Sequence, residues 1–211
     1  EAKRLDVNIW IYDENSYPSG FAGGYVPEAM PESRGRGLHF REEAPPAKPG
    51  PDVLGVFRLT GDDAVNVTAA VRSGQTLPER KAGDKEKVEE KAEEKEKEKY
   101  LTAVVVRSSN SPWFAGRCYV DLLYPGVTEK FLEITLEPYR RQFGDEFGKH
   151  IPGVFMDEPS ILPAGGLPWT DDLPDAFQKR WGYSLLDHLP SLARAVGDWR
   201  RIRHNYFQVL L

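Results

Sequence analysis

Two apolar runs of this sequence end in the same way, on a pair of carboxylates followed by proline and glycine. The first, LDVNIWIYDE at residues 5–14, ends on Asp13 and Glu14, and the second, IPGVFMDEPS at residues 151–160, carries Asp157 and Glu158. Near-continuous apolar residues are typical of strands covered on both faces, as in a parallel α/β sheet. Because the carboxyl ends of parallel strands open onto one face, we expect the two pairs of acids to share one site.

The segments between these runs have different characters. Residues 16–51 are rich in Gly and Pro, which predicts a long ordered loop. Residues 52–61, 64–73 and 100–109 are enriched in β-branched residues and predict three antiparallel strands. Residues 79–99 are nearly all Lys and Glu without an apolar stripe, so we expect either a solvated helix or a disordered excursion and assign them no function.

The region before the second acidic run predicts a strand and a helix. CYVDLLY at residues 118–124 has the composition of another buried strand. Residues 125–147 predict a helix that Pro138 should kink. The members of its apolar stripe are spaced four, three and four positions apart and are Leu132, Leu136, Tyr139 and Phe143.

Three more helices are predicted after the second acidic run. The first lies within residues 169–182, with Thr170 as its N-cap and Gly182 as its stop. A short helix at residues 183–192 should end near Pro190, and an amphipathic helix should cover residues 199–209. Alternating strands and helices predict βαβ units of a parallel sheet, interrupted by the antiparallel strands.

Charge and cysteine content exclude several classes of protein. The formal net charge is −5, from 33 acids against 28 bases, so no broad basic field exists and we expect neither nucleic acid nor an anionic membrane as a partner. Cys118 is the single cysteine, which excludes an internal disulfide and a multi-cysteine zinc site. No apolar run approaches the roughly 20 residues that a membrane-spanning helix needs.

Clustered carboxylates without a cysteine or histidine nucleophile are consistent with two chemistries. In glycoside hydrolysis, one carboxylic acid protonates the leaving oxygen and a second carboxylate acts as base or nucleophile. Alternatively, carboxylate oxygens bind a hard cation such as calcium or magnesium. A third interpretation is structural: an acidic pair at a strand end can cap a helix or anchor a loop through salt bridges.

Among the acids, Glu158 is the sharper candidate for a general acid. Val154 and Met156 share its face by period-two alternation, which places its base against apolar side chains. We expect Asp13, Glu14 and Asp157 to line the same site. The buried-looking Asp121 is either a substrate ligand or an internal partner for Arg117.

Aromatic residues near the acids offer flat faces on which sugars can stack. Trp10 and Tyr12 lie in the first strand and are expected in the core. Tyr17 and Trp169 lie in predicted loops, where either a core or a sugar-binding position is consistent with the sequence. Trp113 is a further candidate for stacking on a sugar face. Ser19, two residues after Tyr17, is included as a candidate substrate-binding residue.

Four segments together resemble a known family. In order they are WIYDENSYPSGFAGG, VDLLYPGVTEKFLEIT, IPGVFMDEPS and LPWTDDLPDAFQKRWGYSLLDHLP. They are similar to large bacterial glycoside hydrolases of the α-L-rhamnosidase-like group, whose catalytic domain is a (β/α)8 barrel. The resemblance implies an α/β fold, a partial (β/α)8 TIM-type barrel with an inserted small antiparallel β subdomain, in which residues 5–14 form the second strand and GVFMDEP the fourth.

The resemblance also implies domain limits. Residues 1–50 would hold a barrel strand and an active-site loop, residues 51–112 the inserted subdomain with the Lys/Glu run 79–99, and residues 113–211 further β/α units. The chain opens on the helix-like EAKRL and stops within the periodic FQVLL, so we expect it to be part of a longer polypeptide that supplies the rest of the barrel. An unclosed set of strands leads us to expect that this segment alone is poorly soluble or inactive.

Site roles follow from the same resemblance. A Glu before Pro at the end of the fourth strand is the general acid in related barrels, which corresponds to Glu158. Those enzymes often carry Asn before this Glu, whereas here Asp157 takes its place and loses a hydrogen-bond donor when ionised. The resemblance implies calcium near the sugar, with ligands left unassigned, a partner carboxylate on a later strand, and a secreted or periplasmic location.

These observations lead to two competing hypotheses. The first is a glycosidase acting on an oligosaccharide or polysaccharide, α-L-rhamnosides among the candidates, by carboxylate acid/base catalysis. The second is a non-catalytic, calcium-dependent carbohydrate-binding or structural module, in which the same acids hold the cation.

Overall fold

The computed structural model of the protein describes residues 1–12, 16–75, 77 and 98–211. The strands found within them are β1 (Ile11–Tyr12), β2 (Arg36–Glu42), β3 (Val53–Thr60), β4 (Asp63–Asn66), β5 (Lys99–Arg107), β6 (Val154–Phe155) and β7 (Leu167–Pro168). The helices are α1 (Ala2–Leu5), α2 (Tyr25–Ala29), α3 (Thr68–Ser73), α4 (Val127–Thr135), α5 (Glu137–Phe143), α6 (Leu173–Trp181), α7 (Leu189–Ala193) and α8 (Trp199–Val209).

The chain divides into two compact units. Unit 1 comprises Glu1–Leu38 and Val106–Asp172, and unit 2 comprises His39–Val105 and Leu173–Leu211. Strands β2 and β5 each have residues in both units. All the described residues that the sequence predicts for the functional site belong to unit 1.

In unit 1, β1 and β6 are parallel neighbours. Ile11 pairs with Val154 and Tyr12 with Phe155, so the two acid-tipped runs are parallel, as predicted. Yet they are direct neighbours, whereas the second and fourth strands of a barrel are separated by the third. The strands are much shorter than the runs, however, and Ile11 is buried while Trp10 and Tyr12 are exposed. The expectation of a strand covered on both faces, with Trp10 and Tyr12 in the core, is therefore wrong; the pattern is that of a half-buried strand.

The core of unit 1 is formed by aromatic and branched side chains of irregular and helical segments. Its buried members are Phe21, Ala22, Val26, Tyr119, Val120, Val127 and Phe131. The strand predicted at residues 118–124 does not form, and only an isolated antiparallel bridge joins Val120 to Arg34. This segment is apolar because Tyr119 and Val120 are buried in the core, although they do not belong to a strand.

The helix predicted at residues 125–147 is broken into α4 and α5. The break at Leu136 comes directly before the first turn of α5, which holds Pro138, so the predicted kink is confirmed. The predicted stripe does not form the buried face, because Leu132, Tyr139 and Phe143 are exposed.

Unit 2 contains the antiparallel strands. Strand β3 pairs antiparallel with β4 through Phe57 and Asn66, and with β5 through Phe57 and Leu101. Of the predicted segment 64–73 only the start is a strand, and the rest is α3. The hydrophobic core of this unit includes Val56, Val67, Val71 and Tyr100, which pack together.

Strand β2 lies within the segment predicted as a long loop. The strand order is β4-β3-β5-β2-β7, and β2 pairs antiparallel with β7 through Gly37 and Pro168. The protein is thus a mixed α/β structure with an antiparallel sheet and a short parallel pair. The (β/α)8 barrel remains a prediction from the resemblance.

The helices of unit 2 agree with the sequence except at their ends. Gly182 adopts a left-handed conformation after α6 and stops the helix, and α8 forms as predicted. Thr170 is not the N-cap, because α6 begins only at Leu173. Pro190 stands in the first turn of α7 and does not end it, consistent with its fixed φ.

Two predictions fall on segments with little or no description. Most of the Lys/Glu run 79–99 lies outside the described residues, as do Asp13 and Glu14. No helix among the described residues is both long and apolar enough to cross a membrane.

Candidate active site

Two acids follow the end of β6. Strand β6 ends at Phe155, beside Tyr12 at the end of β1, so Asp157 and Glu158 lie at the edge where both parallel strands end. The Glu158 side chain is exposed and Asp157 is half-buried. Asp13 and Glu14 follow β1 in the sequence, but their place relative to this edge is outside the described residues.

The backbone at Glu158 leaves the strand conformation. Its φ of 41° is in the left-handed region, which is uncommon for a non-glycine residue and occurs often at functional sites. Since β6 ends at Phe155, period-two alternation does not extend to Glu158. The expected flank formed by Val154 and Met156 therefore loses its basis, and Met156 is itself exposed.

Tyr17 reaches this edge as a hydrogen-bond donor. Its hydroxyl donates to Oε2 of Glu158. The ring meets Trp113 edge to face, with centroids 6.2 Å apart and an interplanar angle of 83°. Tyr12 also contributes, since its hydroxyl donates to Oδ2 of Asp157 over 3.4 Å. Tyr17 was predicted in the site, and the structure brings it there through its hydroxyl.

Ser19 fixes the backbone of Asp157. Its N–H donates to the Asp157 carbonyl over 2.9 Å, and its Oγ accepts from the Asp157 N–H over 2.8 Å. The residue is fully buried. The prediction that Ser19 binds substrate is therefore not supported, because the hydroxyl faces Asp157 and not an open surface.

Sequence reasoning missed Tyr119, which connects the same two segments. Its hydroxyl donates to the Ser19 carbonyl over 2.6 Å and accepts from the Ser160 N–H over 3.1 Å. Gly20 permits this approach, because its φ is +118° and a Cβ there would lie 2.9 Å from Leu122 Cδ2 and 3.3 Å from the Tyr119 hydroxyl. We call Tyr17, Ser19, Tyr119, Asp157 and Glu158 the edge cluster.

Asp121 belongs to a different group of side chains. Its carboxylate lies 3.4 Å from Nη1 of the buried Arg36, whose Nη2 lies 2.8 Å from Asp171. The expected partner Arg117 instead pairs with Glu28 at 2.6 Å. Asp121 is therefore an internal partner, as one alternative proposed, but of a different arginine.

Burial dominates the chemistry of Asp121. Desolvation raises the pKa of this carboxyl to about 6, while the Thr170 hydroxyl, the Leu123 N–H and the Arg36 charge oppose the rise. The Thr170 hydroxyl lies near enough to act on the carboxylate, although it falls short of full hydrogen-bond geometry. With 2% exposure Asp121 cannot meet a substrate in this conformation. We call Arg36, Asp121, Thr170 and Asp171 the buried cluster.

The two loop tryptophans have opposite environments. Trp169 is 3% exposed, so its ring belongs to the core, one of the two positions that the sequence left open, and offers no face to a sugar. Trp113 is 63% exposed and lies against Tyr17. The aromatic surface at the edge cluster is therefore that of Trp113.

Metal-ligating side chains do not cluster in the part of the chain that the structure describes. No group of three or more His, Cys, Asp or Glu side chains comes together in residues 1–12, 16–75, 77 and 98–211. Calcium also binds carbonyl oxygens, so the calcium implied by the resemblance stays a prediction.

Comparison with known families confirms the resemblance over part of the sequence. Residues 109–206, just under half of the chain, match the family model described as alpha-L-rhamnosidase. Over these residues the chain is similar to α-L-rhamnosidases, which are glycoside hydrolases. The matched range includes Trp113, Asp157 and Glu158, whereas Tyr17 and Ser19 lie before it. No curated protein and no solved structure matches the chain significantly.

Proposed function

We propose that the chain forms part of a glycosidase that cleaves α-L-rhamnosides within an oligosaccharide or polysaccharide, with Glu158 as general acid. The observation that carries this proposal is the exposed Glu158 carboxyl, which follows β6 at the end of a parallel strand pair and lies within the residues matched to the alpha-L-rhamnosidase family. Because the carboxyl is exposed to solvent, the glycosidic oxygen of a bound substrate can reach it.

The reaction needs one proton transfer from Glu158. The protonated carboxyl gives its proton to the glycosidic oxygen as the bond from this oxygen to the anomeric carbon breaks, and the leaving sugar departs as an alcohol. Water ultimately supplies the hydroxyl at the anomeric carbon, and its proton goes to a carboxylate. The second carboxylate, placed on a later strand by the resemblance, determines whether the configuration is retained (~5–5.5 Å between the carboxyls) or inverted (~6.5–9.5 Å).

Trp113 supports sugar binding beside this acid. Its indole is exposed, and its N–H backbone group is held by the Ser111 hydroxyl at 3.1 Å, which stiffens the short turn that presents the ring. Aromatic faces pack well against the C–H face of a sugar ring. Asp157, whose carboxylate accepts from Tyr12, is placed to accept a hydrogen bond from a sugar hydroxyl.

The test is Glu158→Gln in the full polypeptide that carries this chain, assayed on glycosides with alkyl or sugar leaving groups, the α-L-rhamnoside included, because these depend on protonation by the acid. We expect kcat to fall about 10²- to 10⁴-fold, the usual contribution of a general acid. Glu137→Gln is the matched control, because this glutamate pairs with Arg140 on the surface of α5. Unchanged turnover in Glu158→Gln would reject the proposal and favour a non-catalytic carbohydrate-binding module.

A chelator arm in the same assay addresses calcium. Loss of activity with chelator, restored by added calcium, would show that a metal site exists in the full polypeptide, and identical rates would show that catalysis proceeds without one.

A further inference from the structure

The edge cluster holds the backbone around Glu158 at several points. Ser19 bonds to both backbone groups of Asp157, one residue before the acid. Tyr119 bonds to the N–H of Ser160, two residues after it. These bonds compensate for the left-handed backbone of Glu158, which is unfavourable for a non-glycine residue when unsupported.

The backbone bonds leave the carboxyl itself free to rotate. An exposed glutamate has three rotatable side-chain bonds, so ordering its carboxyl costs conformational entropy. The Tyr17 hydroxyl supplies the hydrogen bond that the Glu158 carboxylate accepts. The Tyr17 ring is in turn held by its edge contact with Trp113 and by the buried Pro18 and Ser19 that follow it.

We propose that Tyr17 is the positioning residue of the general acid, which holds one oxygen of Glu158 so that the other faces the glycosidic oxygen. This inference rests on the proposed function of Glu158. Tyr17 thereby acts through its hydroxyl and not as a surface on which a sugar stacks. Tyr17 lies outside the residues matched to the family.

The hydrogen bond also selects which oxygen carries the proton. The Tyr17 hydroxyl donates to Oε2, so a lone pair of that oxygen is already engaged. A protonated carboxyl has one O–H donor and keeps acceptor capacity on its other oxygen. The proton is therefore favoured on Oε1, the oxygen that Tyr17 leaves open to the leaving group. After proton transfer the carboxylate keeps the Tyr17 bond, so neither chemical state leaves the phenol without its acceptor.

The experiment compares two rhamnosides in the full polypeptide carrying Tyr17→Phe. A poor leaving group such as methanol depends on protonation by the acid, whereas dinitrophenolate leaves with little help. We expect kcat/KM for the methyl rhamnoside to fall about 10- to 100-fold, the scale of a misplaced reacting group, and that for the dinitrophenyl rhamnoside to fall less than about 3-fold. Tyr139→Phe is the control, since this tyrosine is 44% exposed and distant in sequence from the edge cluster.

Other outcomes would overturn the inference. An equal loss on both substrates would indicate a structural role for Tyr17, and no loss on either would show that Glu158 needs no positioning by it. Glu158→Gln is measured in parallel: if it loses activity with the same leaving-group dependence while Tyr17→Phe does not, the proposed function stands and only the inference fails. If Glu158→Gln is fully active, both fail.

A second variant keeps the test decisive if Tyr17→Phe does not fold. Replacing Tyr17 by 3-fluorotyrosine retains the hydroxyl and the ring shape but makes the phenol more acidic and a stronger donor. The ratio of the rates on the two rhamnosides should then change. A ratio identical to that of the unmodified enzyme would overturn the inference.

Discussion

In unit 1, the edge cluster and the buried cluster each contain a carboxylate next to an apolar run. These two carboxylates, Glu158 and Asp121, differ in solvent exposure and in hydrogen-bond partner. Glu158 is exposed and accepts a hydrogen bond from a neutral phenol. Asp121 is buried against the charged Arg36. The difference shows that the partner and the solvent, and not the local sequence, decide whether such an acid is open to solvent or held in the core.

The largest effect that would test this contrast is expected from Arg36→Ala. This change leaves Asp121 buried without its cation, and removing one partner of a buried ion pair costs about 3–5 kcal/mol. Denaturant unfolding measures the loss. Arg194→Ala is the matched control, because Arg194 and Glu42 are half-exposed and such surface pairs contribute about 0–1 kcal/mol. Equal losses in the two variants would remove the distinction between buried and exposed pairs.

The two tryptophans sharpen the same contrast. Trp169→Ala should lower the free energy of unfolding by about 3–5 kcal/mol, since the ring is buried next to Thr170 of the buried cluster. Trp113→Ala should change it by less than about 0.5 kcal/mol, because the ring is exposed. In activity assays the order should reverse, with Trp113→Ala raising KM for an oligosaccharide. A large stability loss in Trp113→Ala would contradict its assignment as a binding surface.

How far sequence alone could predict this arrangement differs between the clusters. Near-continuous apolar residues were sufficient to predict that the runs before Asp13 and Asp157 are parallel strands, but not that they are direct neighbours. Pro138 was sufficient to predict the break between α4 and α5. The partner of Asp121 was not predictable, because Arg36 lies 85 residues away in a glycine-rich segment that resembles a loop. Side-chain pairing over such separations leaves no periodic signal.

The stability of the buried cluster should depend on pH. Burial raises the pKa of the Asp121 carboxyl from 3.8 to about 6, so the folded state favours the protonated, neutral form of this side chain over the carboxylate. The stabilisation is fully present below pH 3.8 and is lost as the pH rises through 6, by at most about 3 kcal/mol. Denaturant midpoints between pH 5 and 7.5 should therefore fall with rising pH, and Asp121→Asn should flatten the slope.

An opposing trend comes from exposed acids and determines how the pH experiment is analysed. The pKa of Glu146 is lowered by its hydrogen bond with Lys3, so its contribution is lost as the pH falls. The difference between the wild type and Asp121→Asn cancels such common terms. A difference that does not vary between pH 5 and 7.5 would refute the assignment to Asp121.

A smaller loss than in Arg36→Ala or Trp169→Ala is expected from Ser19→Ala in the edge cluster. The substitution leaves the N–H of Asp157 without its acceptor, which costs about 1–3 kcal/mol. Ser73→Ala is the control, since its hydroxyl donates to a helix carbonyl at the exposed end of α3 and should cost a few tenths of a kcal/mol. Thermal unfolding compares the two, and a loss in Ser19→Ala no larger than in Ser73→Ala would show that the backbone bonds around Asp157 are not stabilising.

A single phenol oxygen, that of Tyr119, serves at once as donor to the Ser19 carbonyl and as acceptor for the Ser160 N–H. Changes in the two segments that it bridges will therefore not be independent, and double substitutions there should show strong non-additivity. A transfer of the Glu158 loop to another scaffold must therefore include this tyrosine and the Ser19 segment, because hydrogen bonds join the three.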